Sequence, residues 1–232
     1  MIYYDFHIHS ALSPCGDADM TPNNIVNMAM LLGLDAIAIS DHNSVGNVEA
    51  AQKVGEKCGI RVLAGMEIET QEEVHILTLY PDISAAREVE REVQKNLPDI
   101  KNRPEIFGEQ VFLNENDEIT GYEEKLLISP TAMPIEEVFA LVKSVGGIFV
   151  PAHVDRHSYS ILTNLGFIPE ELPIKSIEIS TMTEDVEAYM NTRKELNKYK
   201  VFRNSDAHYL DKISEKNAFL DFDNIEEIFK NR

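Results

Sequence analysis

Apolar and polar positions follow two alternating rhythms along this chain. Ile2–His7 is short and apolar enough for a strand, and a polar loop follows through Thr21. Pro22 stands where a helix starts, and Ile25, Met28, Ala29 and Leu32 recur at helical spacing until Gly33 ends the pattern. Leu34–Ser40 reads as a strand, Val45–Cys58 as a helix closed by Gly59, and Ile60–Ile68 and Val74–Tyr80 as two further strands. Ile83–Leu97 is a charged surface helix. Residues 98–134 carry isolated apolar pieces among many carboxylates and read as an insertion with short elements. The alternation resumes with helix Ile135–Val145, strand Ile148–Pro151, strand Ile174–Ile179, helix Glu184–Tyr199, strand Val201–Asn204 and a short helix Ile225–Phe229. Alternating β and α units predict a mostly parallel sheet, open or closed into a barrel. In either form, chemistry gathers at the carboxyl ends of the strands.

The bulk composition narrows this picture. With 232 residues, 44% apolar and 26% charged, the chain suits one α/β domain spanning 1–232. No apolar run approaches the ~20 residues of a membrane span. The start, MIYYDFHIHS, lacks the basic and apolar regions of a signal peptide, and two cysteines make no disulfide framework. A cytoplasmic setting is therefore expected, with no membrane partner. The net charge of −19, with no basic stripe, predicts a small phosphorylated substrate and makes long nucleic acid an unlikely partner. The oligomeric state is unknown at this stage.

Candidate chemistry comes from the histidines. The chain has only seven, and six sit at or near a predicted strand end. His7 and His9 form His-x-His after the first strand, where period-two alternation puts Asp5, His7 and His9 on one side. His42 follows the second strand, Glu67 and Glu69 share a face of the third, and His75 begins the fourth. His153 follows the strand ending at Pro151, and Asp206 and His208 follow the last strand. A single strand-end histidine is ordinarily a core or surface residue. Five such segments at successive strand ends are not accounted for that way. Imidazoles and carboxylates suit Zn²⁺, Mn²⁺ and iron, and a bridging carboxylate lets one site hold two or three ions.

The segments DFHIHSALSPCGD, ISDHN, GMEIET, EVHIL, PAHVDR and NSDAH resemble the ordered motifs of the PHP (polymerase and histidinol phosphatase) superfamily. The resemblance covers nearly the whole chain and is weakest over residues 98–134. It implies a distorted (βα)7 barrel, a cluster of two or three divalent metals, and phosphoester hydrolysis by hydroxide generated at the metals. By the same resemblance His7, His9, Glu67, His75, His153, Asp206 and His208 are ligands, Glu67 bridging, with His42 at a ligand or near-ligand position. Family members often carry a further His or Asp soon after His-x-His. Here Cys15 is the best positional match, with Asp17 as the alternative and a plain buried thiol as the third option.

Arg156 resembles the arginine that follows the Ala-His motif in related phosphoesterases, and its planar fork matches phosphate oxygens. A salt bridge to one of the many carboxylates is the competing role. His157 beside it is a candidate substrate donor or an ordinary surface residue. Asp206 or His208 is a candidate for assisting proton transfer, and Asp5 and Asp41 for orienting ligand imidazoles. Asn43 suits a turn. Lys101, Arg103 and Lys125 are candidates for capping the site. The leading expectation is a hydrolase of phosphomonoesters or small phosphodiesters. An amidohydrolase-type enzyme with the same metals and a non-catalytic metal-binding module are the alternatives.

Overall fold

The computed structural model describes residues 1–230. In chain order the elements are β1 (Ile2–Ile8), α1 (Pro22–Leu31), β2 (Ala36–Ile39), α2 (Val48–Cys58), β3 (Arg61–Glu69), β4 (His75–Tyr80), α3 (Ile83–Asn96), α4 (Pro104–Phe107), β5 (Val111–Leu113), β6 (Ile119–Tyr122), α5 (Ile135–Ser144), β7 (Ile148–Pro151), α6 (Ile161–Asn164), β8 (Ser176–Ser180), α7 (Val186–Thr192), β9 (Lys200–Asn204) and β10 (Phe219–Leu220). Three 3-10 turns, at Lys194–Lys198, Leu210–Lys212 and Ile225–Phe229, complete the set among the described residues.

Six strands form one curled sheet in the order β10-β1-β2-β3-β4-β7, while β8 and β9 pair separately. The hydrogen bonding thus builds a curled half-barrel, where the sequence pattern allowed an open or a closed sheet and the family resemblance implied a distorted (βα)7 barrel. The sheet is also less parallel than expected. β1, β2 and β3 run parallel, but β4 is antiparallel to both β3 and β7. This reversal matters for the site. Because β4 runs backwards, its first residue, His75, lies at the same sheet end as the last residues of β1, β2 and β3.

Side chains alternate between two cores, as a pleated sheet requires. Ile37, Ile39, Val62, Ala64, Met66 and Ile76 pack with the helices, while Ala36, Ala38, Leu63, Leu77, Leu79 and Val150 join Tyr4, Phe6 and Phe202 in a second cluster. The 3-10 turn Ile225–Phe229 contributes Ile225, Ile228 and Phe229 to this second cluster. Glu67 and Glu69 continue the alternation set by Leu63, and His75 that of Leu77, so these polar groups stand on the second core's face of the sheet. In β1 the β2 pairing shifts register between Asp5 and Ile8, and Ile8 joins the helix-facing core although Tyr4 and Phe6 do not. The simple alternation that grouped Asp5 with His7 and His9 fails at this irregularity.

Two predicted helices are shorter than expected. α2 begins at Val48 because Asn47 is committed elsewhere: its amide donates to Ser10 Oγ and Val111 O and accepts from Leu113 N. The helix expected over Glu184–Tyr199 ends at Thr192, whose hydroxyl bonds the Tyr189 carbonyl, and Arg193 leaves helical geometry. Residues 98–134 are lashed down rather than loose. The short β5–β6 hairpin is tied to the β1–α1 loop by Val111 N to Ala11 O, and Asn43 holds the carbonyls of Leu127 and Ser129. Gly108 (φ 99°) approaches Pro14 so closely that a Cβ would lie 2.2 Å from the Pro14 carbonyl oxygen, a contact only glycine permits.

Candidate metal centre

The strand ends are stitched together before any side chain is considered. His9 N bonds Ala207 O, Ala207 N bonds His7 O, Glu67 N bonds Asp41 O and Asn43 N bonds Glu67 O. Ala152 N bonds His75 O, and His75 N bonds Tyr159 O. Each link joins segments far apart in sequence. His153, Tyr159 and Asp206 each adopt left-handed backbone conformations (φ 30°, 54° and 53°). Such non-glycine conformations cost about 1–3 kcal/mol each and persist where their surroundings hold them.

Glu67 is the hub of what these ends carry. Its Oε1 lies 3.2 Å from His7 Nε2, 3.0 Å from His75 Nδ1 and 3.3 Å from His153 Nε2. Its Oε2 lies 3.2 Å from His42 Nδ1 and 3.5 Å from His9 Nε2. Asp206 Oδ1 faces His9 Nε2 at 3.0 Å and His7 Nε2 at 3.4 Å. Three sets of donors are mutually close enough to share an ion: His7, His9, Glu67 and Asp206; His42, Glu67 and His75; and His9, His42 and His208. His153 approaches Glu67 but completes none of the three sets.

Several of these rings are oriented from behind. His7 Nδ1 donates to the Glu178 carboxylate at 3.0 Å, and Glu178 also accepts from His153 N and Asn204 Nδ2. His9 Nδ1 donates to Ser13 Oγ, which donates to Asp41. Asp41 thus steadies His9 through a hydroxyl, while Asp5 accepts from the backbone N–H groups of Ser205 and Ser214 and so anchors the loop bearing Asp206. His208 Nδ1 donates to the Asp206 carbonyl. With their Nδ1 atoms used as donors, His7 and His9 turn their Nε2 atoms toward each other at 3.2 Å and toward two carboxylates. Acceptors facing acceptors repel unless a proton or cation lies among them. Among the described residues His153 Nδ1 is buried without a hydrogen-bond partner, and Asp206 Oδ1 and His42 Nδ1 face only other groups of the cluster. These groups fit divalent cations.

The electrostatics point the same way. Burial opposes ionisation of Glu67, but His75 and His7 outweigh it and hold the carboxyl well below its usual range. Burial likewise disfavours the charged form of His75, yet Glu67 raises its pKa to about 9. Glu178, Glu67 and Asp206 overcome burial and raise His7. Burial and the nearby His9 depress His42 and bring His208 down to about 4. Such opposed shifts among touching groups mark a site built around charge.

The cluster opens into a cavity of about 230 Å³ whose wall includes His42, His75, Arg156, Ser158, Tyr159 and His208. Arg156 does form an ion pair, with Asp206 in the site itself, and its Nε is buried without a partner. His157 is exposed and lies outside the cavity wall, which suits the ordinary surface residue of the two roles open to it. Its neighbours Ser158 and Tyr159 line that wall. Cys15 is exposed and belongs to none of the three donor sets, and Asp17 also stands apart from them. Lys101, Arg103 and Lys125 do not line the cavity; Lys125 Nζ bonds Gln94 O and Arg103 lies over the Phe107 ring. Sequence reasoning missed Glu178, whose only signal was an acid at a fully buried strand position (SIEIS), and Tyr159, which had none.

Comparison with known proteins gives this arrangement a context. The PHP domain matches residues 5–222. This chain belongs to the PHP domain family. Within it, a 5'-3' exoribonuclease of Haemophilus influenzae is 32% identical over 79 residues, 33% of this chain and 28% of that protein. The match therefore spans less than a third of that relative's length. The lesion-specific endonuclease PfuEndoQ of Pyrococcus furiosus superposes with a TM-score of 0.73 at 20% identity, covering 99% of this chain and 55% of that one. An endonuclease Q in complex with a 27-mer duplex carrying an abasic lesion gives 0.66 at 19% identity, covering 90% and 49%. These PHP-fold nucleases correct the expectation that long nucleic acid is an unlikely partner. Net charge argues about the average surface, whereas metals at a strand-end site act locally on one phosphate. No helix among the described residues is long and apolar enough to cross a membrane.

Proposed function

We propose that this domain hydrolyses a phosphoester at the Glu67-centred cluster, with two or three divalent ions held by His7, His9, His42, Glu67, His75, His153, Asp206 and His208. One observation carries the reading: Nε2 of His7 and of His9 and the oxygens of Glu67 and Asp206 converge closely enough to share one ion. Bound there, divalent ions supply Lewis acidity toward a phosphoryl oxygen and a nucleophile at neutral pH.

The chain's own residues do the rest. Glu67 spans the donor sets with both oxygens, so it sets their spacing. Glu178 and the Ser13–Asp41 pair fix the tautomers of His7 and His9, leaving Nε2 to face the site. Arg156 lies at the cavity wall with an unused Nε–H and is placed to hold non-bridging phosphate oxygens. His208, depressed to about 4, enters as a neutral imidazole, and Asp206, held well below its usual range, as a carboxylate. Neither is then free to serve as a proton donor in the metal-free geometry. Substrates in scope are phosphomonoesters and phosphodiesters, nucleic-acid strands included.

The test is metal-free protein reloaded with Mn²⁺, Zn²⁺ or Fe²⁺ and assayed on phosphomonoesters, nucleotides and oligonucleotides. His9→Ala and Glu67→Gln are each expected to lose bound metal and at least about 100-fold in turnover, while circular dichroism stays native. Undiminished turnover by either variant would remove the cluster from the reaction.

A further inference from the structure

The side chain of Tyr159 lies beside the cluster and offers it no ligand atom. Its ring stacks on His75, with centroids 4.6 Å apart and planes 17° apart, and it remains 46% exposed. It lines the same cavity as Arg156 and Ser158. Its phenol has no hydrogen-bond partner among the described residues, and His75 is its one ring contact there. The backbone at Tyr159 is left-handed (φ 54°), and its carbonyl accepts from His75 N at 2.9 Å. A tyrosine kept only for packing would bury its ring or satisfy its hydroxyl. This one has one face supported by an imidazole and a large area open to the cavity, in a backbone conformation that any bulky residue adopts at a cost.

We infer that Tyr159 is a stacking platform for a nucleobase, so that the substrates are phosphoesters of nucleosides, free or at a strand end. The inference rests on the phosphoesterase reading and deepens it. Since His75 Nδ1 lies 3.0 Å from Glu67, the platform stands one imidazole away from the hub of the cluster. The loop from His153 to Tyr159 thus presents a cluster histidine, the guanidinium of Arg156 and an open aromatic face in succession. A nucleotide offers the matching series of phosphate, sugar and planar ring. Stacking of this kind tolerates any base, because every base has a π face.

The experiment compares metal-loaded wild type with Tyr159→Phe and Tyr159→Leu. The substrates are nucleotides and dinucleotides, set against ribose phosphates and abasic dinucleotides of equal charge. Leucine still covers His75 but offers no aromatic face, and metal content is measured in every variant. Wild type is expected to favour base-bearing substrates through KM. Tyr159→Leu should raise KM for those by roughly tenfold or more, leaving base-free substrates and metal content unchanged, while Tyr159→Phe behaves as wild type. Equal KM for base-bearing and base-free substrates in wild type, or an equal loss on both in Tyr159→Leu, overturns the platform alone. Absence of turnover on every phosphoester overturns the phosphoesterase reading together with it.

Discussion

Glu178 makes no approach to the centre of the cluster, yet it accepts the Nδ1 proton of His7, the amide of His153 and the side chain of Asn204. His7, in turn, outweighs burial and keeps the Glu178 carboxyl ionised. Glu178→Gln preserves shape while removing the charge that sets the His7 tautomer. It should weaken metal affinity about 10–100-fold, as loss of a partner behind a ligand does, with little change in folding. Titration with a competing chelator reads this directly, and unchanged affinity would limit Glu178 to bracing the backbone. The histidines also predict a pH effect. Below about 9, His75 of the metal-free protein carries a proton, and His7 is raised in the same sense. Metal uptake must expel those protons, so affinity should rise with pH until His75 is neutral, near 9. His208, depressed to about 4, adds nothing above neutrality. Calorimetry in buffers of different ionisation enthalpy should detect proton release at neutral pH.

At the level of elements, the site depends on how closely β2 and β3 approach. Gly65, two residues before Glu67, leaves room for β2: a Cβ there would lie 2.7 Å from Ser40 Oγ and 2.9 Å from Ile39 O. Both neighbours are held, since the Ser40 hydroxyl bonds Phe6 O and Ile39 O belongs to strand backbone. Gly65→Ala should therefore displace β3 by a few tenths of an ångström and destabilise the fold by about 1–3 kcal/mol, the usual cost of overpacking. Urea unfolding checks the stability, and reduced turnover in the still-folded fraction would show that Glu67 has moved. Antiparallel β4 is the second such dependence. Only its reversed direction brings His75 to the strand ends of its neighbours.

Across the whole molecule, a net charge of −19 surrounds a site for which a phosphoester substrate is proposed. An oligonucleotide then meets repulsion from the general surface and attraction only at the metals. Added salt should lower its KM several-fold between roughly 50 and 200 mM, the reverse of the loss shown by proteins that track nucleic acid with basic stripes. A KM that climbs with salt would require a basic path that the charge balance does not suggest. The same acidic surface misled the reading of partners, because an average charge carries no information about a local site that holds its own cations.

The residue types at strand ends, the βα rhythm and the PHP-like motifs were legible in the chain. They are local, and hydrophobic period and motif order survive without knowledge of packing. His7, His9, His42, Glu67, His75, His153, Asp206 and His208 could all be picked out this way, and the structure gathers them at one sheet end. Glu178 and Tyr159 could not, since Glu178 depends on His7, 171 residues away, and Tyr159 on His75, 84 residues away, which no periodicity encodes. Cys15 is the reverse case: the motif left it open between a ligand and a plain thiol, and it lies outside the three donor sets. The half-barrel curl of the sheet and the reversed β4 were decided by strand pairing. Pairing is a property of the folded whole, and side-chain patterns within one strand look the same in either direction.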